Sequence, residues 1–281
     1  MSGNYLIKLK FYDFHLQGRN YNSDKKLIFE AKRLGYSGVS LLYSKDDYKE
    51  SKEYLTEIEN EINSEPTMDS NSVSNPVSNS TYNLDSNSDN NLNFEKTFKI
   101  FPGIKIFPKN SEDLKRQIRS SRKKTNILMV VGGDLKINRA ACENIKLDIL
   151  SRPYYKRRDC GINHVLAKEA ANNDVAIELN ICDVLRARSP IRSKIMAHFQ
   201  EIVKLQKKFK FPLIIGSGAV SIYDLRRPKD LNALSQCFGL SKNEVNLAIS
   251  NNPKNIVDFN NQRKDIIIVG ARKLIINQTI N

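Results

Sequence analysis

Asp13 and His15, two apart in "YDFHL", are the first residues whose types and spacing suit chemistry. Alternate residues of a strand share a face, and such a pair can open a hydrolytic metal cluster. That chemistry draws further His and carboxylates to one rim. The chain has three His in all, and the other two are poorly placed: His198 falls mid-helix in "IMAHFQEI", and His164 follows a helix start. No metal site is expected, and no G-x-S-x-G elbow supports serine catalysis.

The supply of cations is richer. "SRPYYKRRDCGINHVLAKEA" sets Arg152, Lys156, Arg157 and Arg158 beside two tyrosines, ahead of a helix that begins near His164. "NICDVLRARSPIRSKI" gathers Arg186, Arg188 and Arg192 around a helix start, where guanidinium groups suit an RNA backbone. "IIGSGAVSIYDLRRP" ends a strand in Gly-Ser-Gly at Ser217, followed by Arg226 and Arg227. Two readings stand for this loop: a phosphate cradle of backbone N–H groups, or a tight turn that needs glycine. In "KLQKKFKF" the lysines solvate a helix end and complement its dipole, with Lys208 the candidate exception. His15 is then a structural or RNA-contacting residue.

Charge agrees with this bias. The 281 residues carry a formal charge of +14, with a pI near 9.5. Residues 53–95 hold nine acids and no Lys or Arg, so the remaining chain has 45 basic against 22 acidic groups, a surplus of 23. A body this cationic attracts nucleic acid or an anionic surface; a generally basic solubility surface is the plainer alternative. Cys142, Cys160, Cys182 and Cys237 are widely spaced without a CxxC, as in reduced cytosolic thiols. No apolar run approaches the roughly 18 residues that span a bilayer, and charge interrupts the N-terminal apolar stretch, so a cytoplasmic protein without a membrane partner is expected.

The elements that must position these groups alternate. Strands are expected at 9–16, 37–43, 98–107, 126–133, 146–151, 175–181 and 212–218. Helices fall near 23–34, 46–61, 111–123, 137–144, 162–173 and 190–209, with Ser23, Ser111 and Ser189 as caps. Seven strand–helix units predict a parallel sheet, closed into a TIM-barrel-like (β/α) barrel or open and doubly wound. After 218 come three short helices, the second capped by Ser241 with Glu244. Residues 63–93, of which 17 of 31 are Asn or Ser, read as a disordered low-complexity insertion in one domain spanning 1–265, followed by a tail at 266–281.

Several stretches together carry a resemblance: "FYDFHL", "AKRLGYSGVSLL", "DILSRPYYKRRDCGINHVLAKEAANNDVAIELNICDVL", "RSPIRSKIMAHFQEIVKL" and "PLIIGSGAVSIYDLRRPKDLNALSQCFGLSKNEVNLAISNNP". In this order and spacing, over residues 7–263, the chain resembles the archaeal ribonuclease P protein component 3 family, the thirty-kilodalton subunits shared with eukaryotes. The resemblance implies a barrel akin to the PHP and amidohydrolase-like barrels but lacking their metal-binding histidines. It implies a ribonuclease P subunit without catalytic residues of its own, in which the RNA removes the 5′ leader of precursor tRNA. Its implied partners are ribonuclease P RNA, protein component 2 in a heterotetramer, and the other protein subunits. No cofactor is expected on this chain, and Mg2+ is expected for the RNA-catalysed step. The competing readings are a free-standing metal-dependent phosphoesterase on the same barrel and a general RNA-binding protein.

Overall fold

The fold is that of a computed structural model. It describes residues 9–64 and 97–263, with 266–268 and 271–272 as strand backbone. All seven apolar runs become strands: β1 (Tyr12–Gln17), β2 (Gly38–Tyr43), β3 (Lys99–Ile106), β4 (Ile127–Val131), β5 (Ile149–Ser151), β6 (Ala176–Asn180) and β7 (Leu213–Gly216). They pair in parallel and in chain order within one sheet. Its two edges meet. Gln17 N–H donates to the Ala219 carbonyl at 2.8 Å, and Ser217 N–H donates to Asp13 Oδ1 at 3.1 Å. The sheet is therefore a nearly closed barrel, and the open doubly wound alternative falls away.

Helices α1 (Tyr21–Arg33), α2 (Tyr48–Ser64), α3 (Ser111–Arg122), α4 (Leu135–Cys142), α5 (His164–Asn172), α6 (Ile181–Arg186) and α7 (Ser189–Phe209) wrap the outside. Strand residues such as Leu41, Ile104, Leu128 and Ile177 pack under them, while Phe14, Leu42, Met129 and Ile214 fill the interior. Burial on both faces explains why the strands read as continuous apolar runs.

The last helices are α8 (Pro228–Gln236), α9 (Lys242–Asn246) and α10 (Asn252–Gln262). The expected break before the third helix is instead a π turn at Leu247–Asn251 that joins α9 to α10. Pro253 has no N–H to continue the α pattern there, and the wider turn absorbs the loss. α10 floors the barrel at the N-terminal ends of the strands. Val257 joins the interior cluster, and Asn260 Nδ2 donates to the Asn126 carbonyl (2.6 Å) and to Asp148 Oδ1 (2.8 Å). The opposite end is open.

Three caps differ from expectation. Asn20 and Asn110, not Ser23 and Ser111, accept the first-turn N–H groups of α1 and α3. Ser189 lies inside α7, whose N-cap Arg188 makes no side-chain cap bond. The Ser241–Glu244 capping box is present. Within the Asn/Ser-rich stretch, Asn63 and Ser64 close α2, and 65–93 lie outside the described residues. In the tail, β8 (Ile266–Ile268) and β9 (Ala271–Arg272) form a separate antiparallel pair; the rest lies outside the described residues.

Candidate nucleic-acid interface at the barrel mouth

A bulge in β1 builds the centre of the mouth. Asp13 pairs with Val39 and Leu16 with Leu41, so Phe14 and His15 together oppose Ser40. A bulge re-aims side chains, and here it separates the expected pair. Asp13 turns to the seam with β7, while His15 turns into the barrel. The two do not share a face.

Inside the mouth His15 Nδ1 lies 2.5 Å from Glu178 Oε1, and Asn180 Nδ2 lies 3.1 Å from the same nitrogen. Lys105 Nζ lies 3.2 Å from His15 Nε2 and also donates to Gln17 Oε1. Burial holds the imidazole below its ordinary pKa against the pull of Glu178, and the Lys105 and Arg152 charges lower it further. Burial works to raise Glu178, but the His15 contact and the Arg152 charge outweigh it and keep the carboxylate ionised. The ring is thus neutral, with Nδ1–H donating to Glu178 and Nε2 accepting from the ammonium. Burial, helped by Arg152 and opposed by Glu178, brings Lys105 down to about 8.

The loop after β5 folds over this centre. Arg152 and Lys156 adopt left-handed backbone, with φ of 50° and 57°, a costly conformation for residues other than glycine and one concentrated at functional sites. Asn138 Nδ2 pins the loop by donating to the Pro153 and Gly161 carbonyls, both at 2.9 Å. Arg152 pairs with Asp183 at 2.6 Å, and Tyr154 OH donates to the same carboxylate at 2.8 Å. Between this loop and α7 lies a cavity of about 640 Å3. Lys105, Arg152, Lys156, Arg157, Arg186 and Lys194 line it, against one lining carboxylate, Asp183.

The expected binding residues divide. Arg152, Lys156, Arg157 and Arg186 reach the cavity. Arg158, His164 and Arg188 are exposed on neighbouring turns outside it. Arg157 is held by Asp159 (2.5 Å) and Arg186 by Asp224 (2.6 Å). Arg192 spends its guanidinium on the Val184 and Ala187 carbonyls at the end of α6.

The remainder lies away from the mouth. Lys208 sits at the far end of α7, whose 21 residues span roughly 30 Å toward the barrel floor. Arg226 donates to the Tyr223 and Leu225 carbonyls, and Arg227 pairs with Asp230. The Arg226 carbonyl accepts from Tyr36, which precedes β2. These two arginines therefore descend the barrel flank.

Ser217 is fully buried. The N–H groups of Ser217, Ala219, Val220 and Ser221 go to Asp13, the Ser217 hydroxyl and Asp224. These four N–H groups are thus spent within the loop and its seam. Gly218 has φ of +64°, and a Cβ there would fall 2.4 Å from Asn180 Oδ1.

The donors at the mouth do not suit a hydrolytic metal. No three His, Cys, Asp or Glu among the described residues group to hold one, and an ammonium occupies the coordinating face of His15 Nε2. Glu178 and Lys194 were not among the expected site residues. Glu178 had a legible signal: with Asn180 it places polar groups at period two in the apolar "VAIELNI". Lys194 had none, since only the fold brings that helix face to the mouth.

A family profile described as RNase P subunit p30 matches residues 10–265. Ribonuclease P protein component 3 of Methanothermobacter thermautotrophicus is 38% identical over 268 residues, 95% of this chain and 97% of that protein. A chain in a cryo-EM structure of archaeal ribonuclease P with mature tRNA superposes with a TM-score of 0.68 at 28% identity, covering 96% of this chain and 100% of that one. A probable 2-pyrone-4,6-dicarboxylic acid hydrolase from Acinetobacter baumannii shares the barrel alone, with a TM-score of 0.52 at 10% identity, over 89% of this chain and 100% of that one.

Proposed function

The chain belongs to the RNase P subunit p30 family and is a protein subunit of ribonuclease P, the endoribonuclease that acts on precursor tRNA; from that premise we propose how its barrel serves the holoenzyme. The cleavage chemistry rests with the RNA subunit and Mg2+, and this chain binds no cofactor. Its mouth and the turns beside it meet the phosphate backbone of ribonuclease P RNA. The observation that carries this reading is the excess of cations at the mouth, six lining the cavity against one carboxylate. Exposed Arg158 and Arg188 extend the positive surface beyond it. Surfaces of this kind bind phosphates through charge and guanidinium geometry.

The chain works in the cytoplasm beside the other protein subunits, with component 2 its direct partner in a heterotetramer. The phosphoesterase alternative is disfavoured by the mouth, where an ammonium stands beside His15 Nε2. The test is incubation of the purified chain alone with precursor tRNA and with a generic phosphate ester, in Mg2+, Mn2+ or Zn2+. No turnover is expected. Robust cleavage abolished by His15→Ala would return the phosphoesterase reading.

A further inference from the structure

The mouth contains a second kind of site beneath the rim. Lys105 is 8% exposed, and no carboxylate pairs with it among the described residues. Its neighbours are the Gln17 amide, the neutral His15 ring and the face of Phe107, 5.5 Å away. Its nearest counter-charge is Glu178, on the far side of the His15 ring. A buried ammonium with no carboxylate in direct contact is costly, and an anion complements it. Arg152 lines the same cavity, and its Nε is buried without a partner.

The surrounding walls specify what kind of anion fits. The cavity of about 640 Å3 falls within the ~300–1,000 Å3 typical of small-molecule pockets. One wall is cationic. The other, on α6 and α7, presents Cys182, Ala187, Ile191 and Ile195, with the stacked Tyr154 and His198 rings, 6.1 Å apart, beside them. Ile191 is 57% exposed toward solvent although it lines this wall. The barrel interior closes the base of the pocket beneath the rim, so the base admits the end of a chain while a continuous backbone lies across the rim.

We propose that the barrel mouth binds a phosphate monoester of mononucleotide size, its terminal phosphate held between Lys105 and Arg152 and its organic body against Ile191 and Ile195. The monoester brings close to two negative charges at neutral pH, against one for a diester. The Arg152 guanidinium, already anchored by Asp183, adds a directional donor. This site goes beyond the backbone-binding rim, since it reads a terminal phosphate and needs no partner subunit. The same chemistry has two sources, a free nucleotide and the 5′ end of an RNA.

Isothermal titration calorimetry of the full-length chain tests it, with inorganic phosphate, adenosine 5′-monophosphate and adenosine as probes. Saturable binding of the monophosphate is expected, weaker binding of phosphate, and none of adenosine. Lys105→Met and Lys105→Gln should each weaken it at least tenfold without lowering the melting temperature, while Lys208→Ala leaves it unchanged. Affinity should peak between the second phosphate pKa, about 6, and that of Lys105, about 8; the groups facing Lys105 are His15, Glu178 and Arg152. A pair of short RNAs with 5′-phosphate or 5′-hydroxyl separates the sources. Preference for the phosphorylated RNA over the monophosphate assigns an RNA end, and the reverse order assigns a free nucleotide. Absence of saturable monophosphate binding, or binding unchanged in both Lys105 variants, overturns the proposal, whatever the outcome for ribonuclease P assembly.

Discussion

Ser217 donates its backbone N–H to Asp13 Oδ1 across the seam between the last strand and the first, at 3.1 Å. His15 N–H reaches the same oxygen at 3.1 Å. One carboxylate therefore fastens the barrel seam and the bulge that aims His15 inward. A buried acceptor of two N–H groups is expensive to remove, and Asp13→Ala should destabilise the fold by about 2–4 kcal/mol in urea unfolding.

Asp13 also sets a pH dependence. Burial raises its pKa from 3.8 to about 6, against the bonds from Ser217 and His15. A folded pKa above the unfolded one means stability is fully present below about 3.8 and lost as pH rises through about 6. Asp13→Asn mimics the protonated form. Its stability relative to the unsubstituted chain should improve between pH 4 and 7 by an amount on the order of 3 kcal/mol. A difference that stays flat with pH would show that the carboxylate titrates normally.

Lys105 runs in the opposite sense. Its folded pKa, about 8, lies below the ordinary 10.5. The cost of burying it is present below pH 8 and fades as pH rises toward 10.5. Lys105→Met should therefore raise stability at pH 7 by roughly 1–3 kcal/mol, since removing the bonds to Gln17 and His15 offsets part of the gain. Equilibrium unfolding at pH 7 and pH 10 checks it, with a smaller difference expected at the higher pH.

The rim should act by binding phosphate. Arg158, exposed and without an ion pair among the described residues, and Lys156, over the Tyr155 ring at 5.3 Å, are the best placed. Truncating one phosphate-binding side chain should lower the logarithmic salt slope of RNA binding by about 0.7–0.9. Arg157→Ala with Arg158→Ala should weaken binding, with most of the effect from Arg158, because Arg157 is engaged by Asp159. Arg226→Ala should leave the slope unchanged, as that side chain bonds its own turn. Lys207→Ala, bonded to the Gly239 carbonyl near the floor, is the control.

Replacing residues 65–93 by a short Gly/Ser linker should leave the melting temperature nearly unchanged. Asn63 and Phe98 already hold the two ends together through paired bonds of 2.7 and 3.0 Å. Loop-closure cost changes by only about 0.6 kcal/mol per doubling of length. A drop of several degrees would mean that the segment packs on the barrel.

The strands were legible because seven apolar runs of strand length, separated by helical patterns, leave few alternatives to a parallel sheet. The caps of α1 and α3 were misplaced because Asn20 and Asn110 each stand three residues before the residue whose N–H they accept. Serines nearer the apolar pattern drew the assignment instead. The bulge at Phe14–His15 leaves no trace in "YDFHL", so strict alternation put Asp13 and His15 on one face. α6 escaped notice because six residues are too few to show a helical period. Arginines were recognisable as cations, but their distant partners were not: Asp183 and Asp224 come to Arg152 and Arg186 only through the fold, whereas Arg227 pairs with Asp230 locally, three residues on.

The central claim is that this chain supports cleavage by an RNA without performing it. The most direct measurement is the rate of precursor-tRNA cleavage by ribonuclease P reconstituted from its RNA and protein subunits at limiting Mg2+, with this chain present, omitted, or alone. The predicted result is no cleavage by the chain alone and a rate at least tenfold lower on omission, about 1.4 kcal/mol of barrier. An unchanged rate on omission, or cleavage by the chain without RNA, would contradict it.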